Sequence, residues 1–387
     1  MKISNKTGLT VEILENGAVG WFEAAPVMIS LRRASVSSGT YANVWLRKRG
    51  GKPEFRPLTG PGSDSRVRVD GDRFCAVGNW DGIVYECRLI LSEKSLSWEW
   101  RIDLLNGSGT DNKLDLVCLQ DVGLKTASAG LENEYYVSQY TERRILDDPV
   151  HGKVVLCRQN MKESGGFPWL MLASAGRTVS ASTDGMQFYG RSHRATGVPE
   201  GLLKDNLGGE YAGESSVVAL QEEPFILQAG KVRTVRFVAT YLHNHPPATS
   251  EADLDRLPGL VLEFSNENSK AAGPAPVAKA EPGTVIQAEP ESDREAAGLI
   301  PKQGNLFSRP DLLLAEDLDE GELARLFPGE MRQIEIDDGK GLSFFYGDNN
   351  HVMLRTKEVI VDRPHGHIMH TGSHLVPDEG IMSTTAF

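Results

Sequence analysis

The stretch Leu96-Ser-Trp98-Glu-Trp100-Arg-Ile102-Asp-Leu104 alternates large apolar and polar residues without a break. Side chains point to opposite faces along a β-strand, so this pattern predicts a strand that buries Leu96, Trp98, Trp100, Ile102 and Leu104 and turns its other face to water. Tyr85, Cys87, Leu89 and Leu91 alternate in the same way just before it, and Glu93-Lys94-Ser95 supplies a turn, so the two segments should form a hairpin. A second hairpin is marked by Asp70-Gly71 between Arg66–Val69 and Arg73–Ala76. Val235, Phe237, Ala239 and Tyr241 repeat the alternation late in the region. Many short strands, 40 glycines and no long amphipathic helical pattern make residues 1–265 a large antiparallel β-sandwich, and the chain mainly β.

The composition changes after residue 265. The run NSKAAGPAPVAKAEPGTVIQAEPESDREAAG has almost no large apolar residue and cannot bury enough surface to offset its chain entropy, so 266–310 reads as a linker. Residues 311–387 read as a short helix followed by the start of a second, incomplete β-domain. The helix spans Asp317–Phe327, with acids at its start and Pro328 at its end. Strand-like segments follow at Met331–Ile336, Leu342–Tyr346, Val352–Leu354 and Glu358–Val361, and the pattern stops at Ile381–Phe387 with no closing element.

The chain has 387 residues, 40% of them hydrophobic, and a mean hydropathy of -0.30. No apolar run approaches the ~20 residues of a spanning helix, and the N-terminus lacks an apolar signal-like stretch, so the cytoplasm is the expected location. A net charge of -12 repels phosphate backbones, which argues against nucleic acid and against an anionic membrane as partners. Cys75, Cys87, Cys118 and Cys157 form no C-x-x-C pair; Cys87 and Cys118 sit in apolar surroundings and are expected to be buried free thiols.

Few constellations suggest chemistry. His365-x-His367-x-x-His370-x-x-x-His374 could be a metal site, but Pro364 and Gly366 interrupt it and no HExxH framework is present, so no metal is assigned. The acid pairs Asp147/Asp148 and Glu132/Glu134 read as solvated side chains rather than a glycosidase pair, which must flank a sugar. No nucleophile elbow, Walker A or kinase motif occurs. Among the tryptophans, Trp98 and Trp100 read as core. Trp80, in Gly78-Asn79-Trp80-Asp81-Gly82, reads as a turn residue exposed for a sugar or interdomain contact.

Three strings, Gln120-Asp-Val-Gly-Leu124, Asn133-Glu-Tyr-Tyr-Val-Ser-Gln-Tyr140 and Cys157-Arg-Gln-Asn160, resemble glycoside hydrolase family 94. That group includes cellobiose-type phosphorylases and the phosphorylase-like part of cyclic β-1,2-glucan synthases. The nearest resemblance is to 1,2-β-oligoglucan phosphorylases, through Leu342–Gly347, Arg363–Ile368 and Thr371–Asp378 as well. It implies a sandwich of the galactose-mutarotase-like super-sandwich type. It also implies cofactor-free, inverting phosphorolysis, in which phosphate as co-substrate attacks the anomeric carbon of a β-glucan oligosaccharide and α-glucose 1-phosphate leaves. In that family the general acid and the phosphate pocket lie on a downstream (α/α)₆ barrel, so no catalytic residue is assigned here. Trp80, Tyr136, Gln139, Tyr140 and Arg191 are the candidate carbohydrate or interdomain contacts. The expected partners are the glucan and a helical catalytic domain in the same or a separate chain, and the chain alone is expected to be inactive. The alternatives are a free-standing carbohydrate-binding sandwich and a scaffold for a separately encoded barrel.

Overall fold

A computed structural model describes residues 1–265, apart from 35–40, 52, 71–72, 128–133, 191–192 and 213–214. Beyond residue 265 it describes the backbone of 334–336, 343–345, 351–353, 359–362 and 368–371. The chain divides into two compact units.

The first unit begins with β1 (Lys2–Ser4), β2 (Leu9–Ile13), β3 (Val19–Ala24), β4 (Val27–Met28), β5 (Ala42–Lys48) and β6 (Glu54–Pro57). It continues with β7 (Arg66–Asp70), β8 (Arg73–Trp80), β9 (Ile83–Leu91), β10 (Ser97–Asn106), β11 (Asn112–Asp121) and β12 (Lys125–Thr126). After Val137–Gln139, the part of helix α1 (Glu134–Gln139) that belongs to this unit, come β13 (Thr141–Asp148), β14 (Gly152–Gln159), β15 (Trp169–Ser174) and β16 (Thr178–Asp184). Helices α2 (Gly185–Tyr189) and α3 (His193–Thr196) precede β17 (Ser216–Glu222), β18 (Phe225–Leu227) and β19 (Val232–Leu242), and α4 (Leu257–Glu263) follows.

These strands form two sheets among the described residues. The smaller runs β1-β2-β3-β4-β12. The larger runs β6-β5-β11-β17-β16-β14-β15-β19-β10-β9-β8-β7, with β13 beside β14 and β18 beside β11. Its pairs are antiparallel except at one place, where β14 meets β16 in parallel through the single pair Gly152↔Thr178.

The predicted hairpins form. β9 and β10 pair from Trp98↔Leu91 to Asn106↔Ile83, and β7 and β8 from Arg66↔Val77 to Asp70↔Arg73. The alternating apolar residues fill the principal core: Tyr85, Cys87 and Leu89 join Trp98, Trp100, Ile102, Phe237 and Tyr241. Phe22, from the smaller sheet, lies 4.9 Å from Trp98. This core therefore joins the two sheets.

The polar face of β10 departs from expectation. Glu99, Arg101 and Asp103 are buried rather than wet. They pair with opposite charges along β10 and on the strands beside it: Arg236 Nε of β19 is 2.6 Å from Glu99 Oε2, Arg101 Nε is 3.5 Å from Asp103 on the same strand, and Arg88 of β9 also pairs with Asp103. Paired in this way, the charges can be buried, which an alternation rule cannot foresee.

Two smaller cores cover outer faces. Leu257, Leu260 and Phe264, on and just after α4, pack on Ile90, Trp169 and Val238. A 3₁₀ turn over Glu251–Arg256 leads into α4, capped by a reciprocal Ser250/Asp253 box. Phe188 of α2, with Leu202 and Leu207, packs on Trp45, Val117, Leu119, Val217 and Ala219. Asp184 caps α2 by accepting from Gln187 N at 3.2 Å. These helices were not read from the sequence, because each is too short to show a 3.6-residue period. The cover is also pinned by polar groups. Arg47 makes a bidentate pair with Asp115 at 2.7 Å, both fully buried, and donates to Leu202 O and Lys204 O.

All four cysteines are free and buried. No helix among the described residues is long and apolar enough to cross a membrane.

The second unit holds β20 (Ile334–Ile336), β21 (Ser343–Phe345), β22 (His351–Met353), β23 (Val359–Asp362) and β24 (Ile368–Thr371). β20, β23 and β24 form an antiparallel sheet, and β21 pairs with β22. Four of the five fall on predicted strand segments, and β24 was not predicted. The linker 266–310, the helix Asp317–Phe327 and His365, His367 and His374 lie outside the described residues.

Candidate interdomain site

Three of the strings that carry the family resemblance, all between residues 120 and 160, contribute residues that meet at one end of the first unit. At the end of β11, Val122 N donates to Ser216 O at 3.0 Å and Gly123 N to Ile29 O at 2.8 Å. A Cβ at Gly123 would lie 2.8 Å from Ser30 O and 2.9 Å from Leu31 Cα, so only glycine lets the two backbones approach. Leu124 then takes φ 55°, turning the chain away. The carboxylate of Asp121, itself buried, accepts from Arg32 N at 2.7 Å.

The second string contributes α1. Ser138 Oγ accepts from Ser216 N at 3.2 Å, and Thr141 Oγ1 donates to Val137 O at 3.0 Å. The third string ties these together. Gln159 is fully buried; its Nε2 lies 3.3 Å from Gly123 O, 3.4 Å from Val137 O and 3.3 Å from Thr141 Oγ1, and its Oε1 accepts from Met161 N. Asn160 N donates to Tyr140 O at 2.9 Å. Arg158 donates to His245 O and Pro246 O, and to the side chain of Asn160. One glutamine thus serves all three strings, as buried polar groups require.

Beside this knot stands a second polar group. The Arg32 guanidinium lies 4.0 Å over the Tyr41 ring, and the Tyr189 and His193 rings are 4.8 Å apart. Burial pushes the Tyr189 hydroxyl well above the ordinary phenol range, with Arg32 opposing, so it remains a neutral hydroxyl.

The predicted contact residues separate. Gln139 and Tyr140 close the α1 segment at this end, both exposed, Tyr140 to 38%. The side chain of Tyr136 and all of Arg191 lie outside the described residues. Trp80 belongs elsewhere and is not exposed: it is the last residue of β8, at 5% exposure. The turn is only Asp81-Gly82, with φ 48° and 84°, the two-residue geometry that matches strand twist. Lys48 Nζ sits 4.6 Å and Arg56 Cζ 6.0 Å from the indole centroid and close it off. The Gly-rich surroundings read as a long turn because the hairpin's own turn residues were counted with its strand end.

The knot does structural work, because its side chains bind mainly backbone groups. Among the described residues no group of three or more His, Cys, Asp or Glu could hold a metal ion. Neither Ser138 nor Gln159 is legible as a tie in the sequence, because most of their partners are backbone atoms remote along the chain.

Residues 12–238 match the profile of the SOGP N-terminal domain. The chain belongs to this family. Residues 327–387 match the glycoside phosphorylase supersandwich domain. A 1,2-beta-oligoglucan phosphorylase from Listeria innocua serovar 6a is 24% identical over 390 residues, which cover 100% of this chain and 32% of that protein. The chain therefore spans about a third of the length of that curated relative. Among solved structures, a bacterial glucoamylase complexed with acarbose aligns at TM-score 0.38 and 11% identity, over 67% of this chain and 35% of that one. A galactose mutarotase-like protein from Lactobacillus casei aligns at TM-score 0.34 and 9% identity, over 62% and 99%. The SOGP N-terminal chain is mainly β by its own strands, and all 387 of its residues fall within the match to a glycoside phosphorylase.

Proposed function

We propose that this chain is the β-sandwich portion of a phosphorylase acting on β-1,2-linked oligoglucan, and that a helical domain, in the same or a separate chain, supplies the reacting groups. In that reaction a phosphate oxygen attacks the anomeric carbon from the face opposite the leaving group. The glycosidic C–O bond breaks, a carboxylic acid delivers its proton to the leaving oxygen, and α-glucose 1-phosphate forms with inversion. Phosphate is the co-substrate, and no cofactor or metal enters. The observation that carries the reading is the use of the shared strings: Gln159, Ser138 and Asp121 spend their hydrogen bonds on the sandwich's own backbone, leaving Gln139 and Tyr140 at the surface. Such a division suits a module that holds its shape and presents a contact face to a neighbouring domain.

The test is glucose 1-phosphate release from β-1,2-linked glucose oligosaccharides and phosphate. A protein in which this chain is joined to an (α/α)₆ barrel is expected to release it, and the 387-residue chain alone is not. Release by the chain alone would overturn the assignment of chemistry to the barrel. No release by the joined protein would overturn the phosphorylase reading.

A further inference from the structure

At the other end of β11 from the knot, the first unit holds a depression of about 360 Å³. Its lining includes Asp111, Ile226, Gln228, Lys231, Val232 and Arg233. Ile226 and Val232 are 65% and 53% exposed, among the most exposed large aliphatic side chains of the unit. The rim around them is laced down. Asn106, fully buried, donates to Leu227 O and Thr110 O at 2.7 Å and accepts from Gly230 N at 2.7 Å. Ala229 N donates to Asp111 Oδ1 at 3.0 Å, and Lys231 N to Gln228 O at 3.1 Å. The Arg233 guanidinium is stacked 4.0 Å over the Phe225 ring.

We propose that this depression is an accessory binding site for a glucosyl unit of the glucan chain, remote from the knot; the choice of glucan rests on the function proposed above. A pyranose offers apolar C–H faces and a hydroxyl rim, and the depression offers the complement. Ile226 and Val232 supply exposed aliphatic surface in the lining. Asp111 and Gln228 can accept hydroxyl protons, while Gln228, Lys231 and Arg233 can donate to hydroxyl oxygens. Asp111, Lys231 and Arg233 leave one net positive charge on the lining, with Asp111 set against the two cations and the Arg233 guanidinium engaged over Phe225. The volume suits a small ligand, whereas a stable protein partner needs about 800 Å² on each side. The laced rim is already ordered, so little entropy is lost on binding. β11 spans Asn112–Asp121, so the site lies on the order of 30 Å from the knot at ~3.3 Å per residue.

The experiment is a methyl NMR titration of the chain with β-1,2-linked glucose oligosaccharides, following Ile226 and Val232. Both methyl groups are expected to shift saturably. The Gln228→Ala/Lys231→Ala variant, with an unchanged melting temperature, should need about tenfold more ligand, as the loss of two hydrogen bonds implies. The inference is overturned if the methyl groups do not respond or if the variant titrates like the parent. Glucose 1-phosphate release by the joined protein without a methyl response overturns this site alone. A methyl response without release overturns the proposed function, leaving a sugar-binding sandwich.

Discussion

Replacing Glu222 by glutamine should make the first unit more stable in mildly alkaline solution and leave it nearly unchanged in acid. Glu222 ends β17 at 2% exposure. One carboxyl oxygen lies 2.5 Å from Ser174 Oγ, the other faces Gly176, and the backbone of Arg177 adds a hydrogen bond. Burial pushes its pKa from 4.5 up to about 7, against the pull of Ser174, Arg177 and Arg233. The sign follows from proton counting. Between 4.5 and 7 the folded protein holds a proton that the unfolded chain has released, so stability falls as pH rises through that window and stays lower above it. The full loss is about 3 kcal/mol, at 1.36 kcal/mol for each pH unit between the two values. Glutamine matches the neutral acid in shape: its amide can donate to Ser174 Oγ, which in turn can donate to Arg236 O at 3.2 Å. Glu222→Gln should therefore raise the melting temperature at pH 8 by roughly 5–10 °C, at ~2–4 °C per kcal/mol for a domain of this size, and by little at pH 4.5. Near-UV circular dichroism melts at the two pH values measure this. An equal shift at both, or a lower melting point at pH 8, would refute the argument.

Other outcomes follow from the same geometry. Gly123→Ala should cost about 1–3 kcal/mol in urea unfolding, because its methyl would meet the backbone of Ser30 and Leu31. Gln159→Leu leaves the buried carbonyls of Gly123 and Val137 without their shared donor; a loss of about 1–3 kcal/mol and faster amide exchange at Asn160 are expected, and unchanged exchange would contradict its role as a tie. Asp115→Ala strands the Arg47 guanidinium in the interior and should cost about 3–5 kcal/mol, read from the urea midpoint. Burial pushes the thiols of Cys75 up to about 11 and Cys157 up to about 12, so neither should react with an aromatic disulfide reagent at pH 8 until the chain is unfolded.

The strand framework was legible where burial is one-sided. Tyr85 to Leu91 and Trp98 to Leu104 announce their faces because the core takes every second side chain. The pattern fails where a sheet covers its own polar face, as with Glu99, Arg101 and Asp103, since pairing across strands depends on register and not on local order. It also fails for α2 and the turn at Glu200–Leu203, which rest on Trp45 and Val117 rather than on a period of their own. The shared strings come together in the fold, but what they do there was not legible in them. Gln159 acts on carbonyls 36 and 22 residues away, and any buried glutamine would read the same in sequence. Trp80 was misplaced because Lys48 and Arg56, which cover it, come from other strands.

The single parallel pair Gly152↔Thr178 has a mechanical meaning. Everywhere else the larger sheet is stitched by runs of backbone bonds, but here the strand series on either side share one rung, where Gly152 admits Thr178 O so closely that a Cβ would stand 2.0 Å from it. What reinforces the join is one backbone bond, Thr178 N to His151 O at 2.9 Å, together with side chains: Thr178 Oγ1 reaching the same carbonyl, and Ser174 holding Glu222. Compliance should concentrate along this line, so a pulling force or a transient breathing motion would part the fabric there before it unravelled any ladder, and acidity, by setting the charge on one carboxyl group, tunes how firmly the fabric closes.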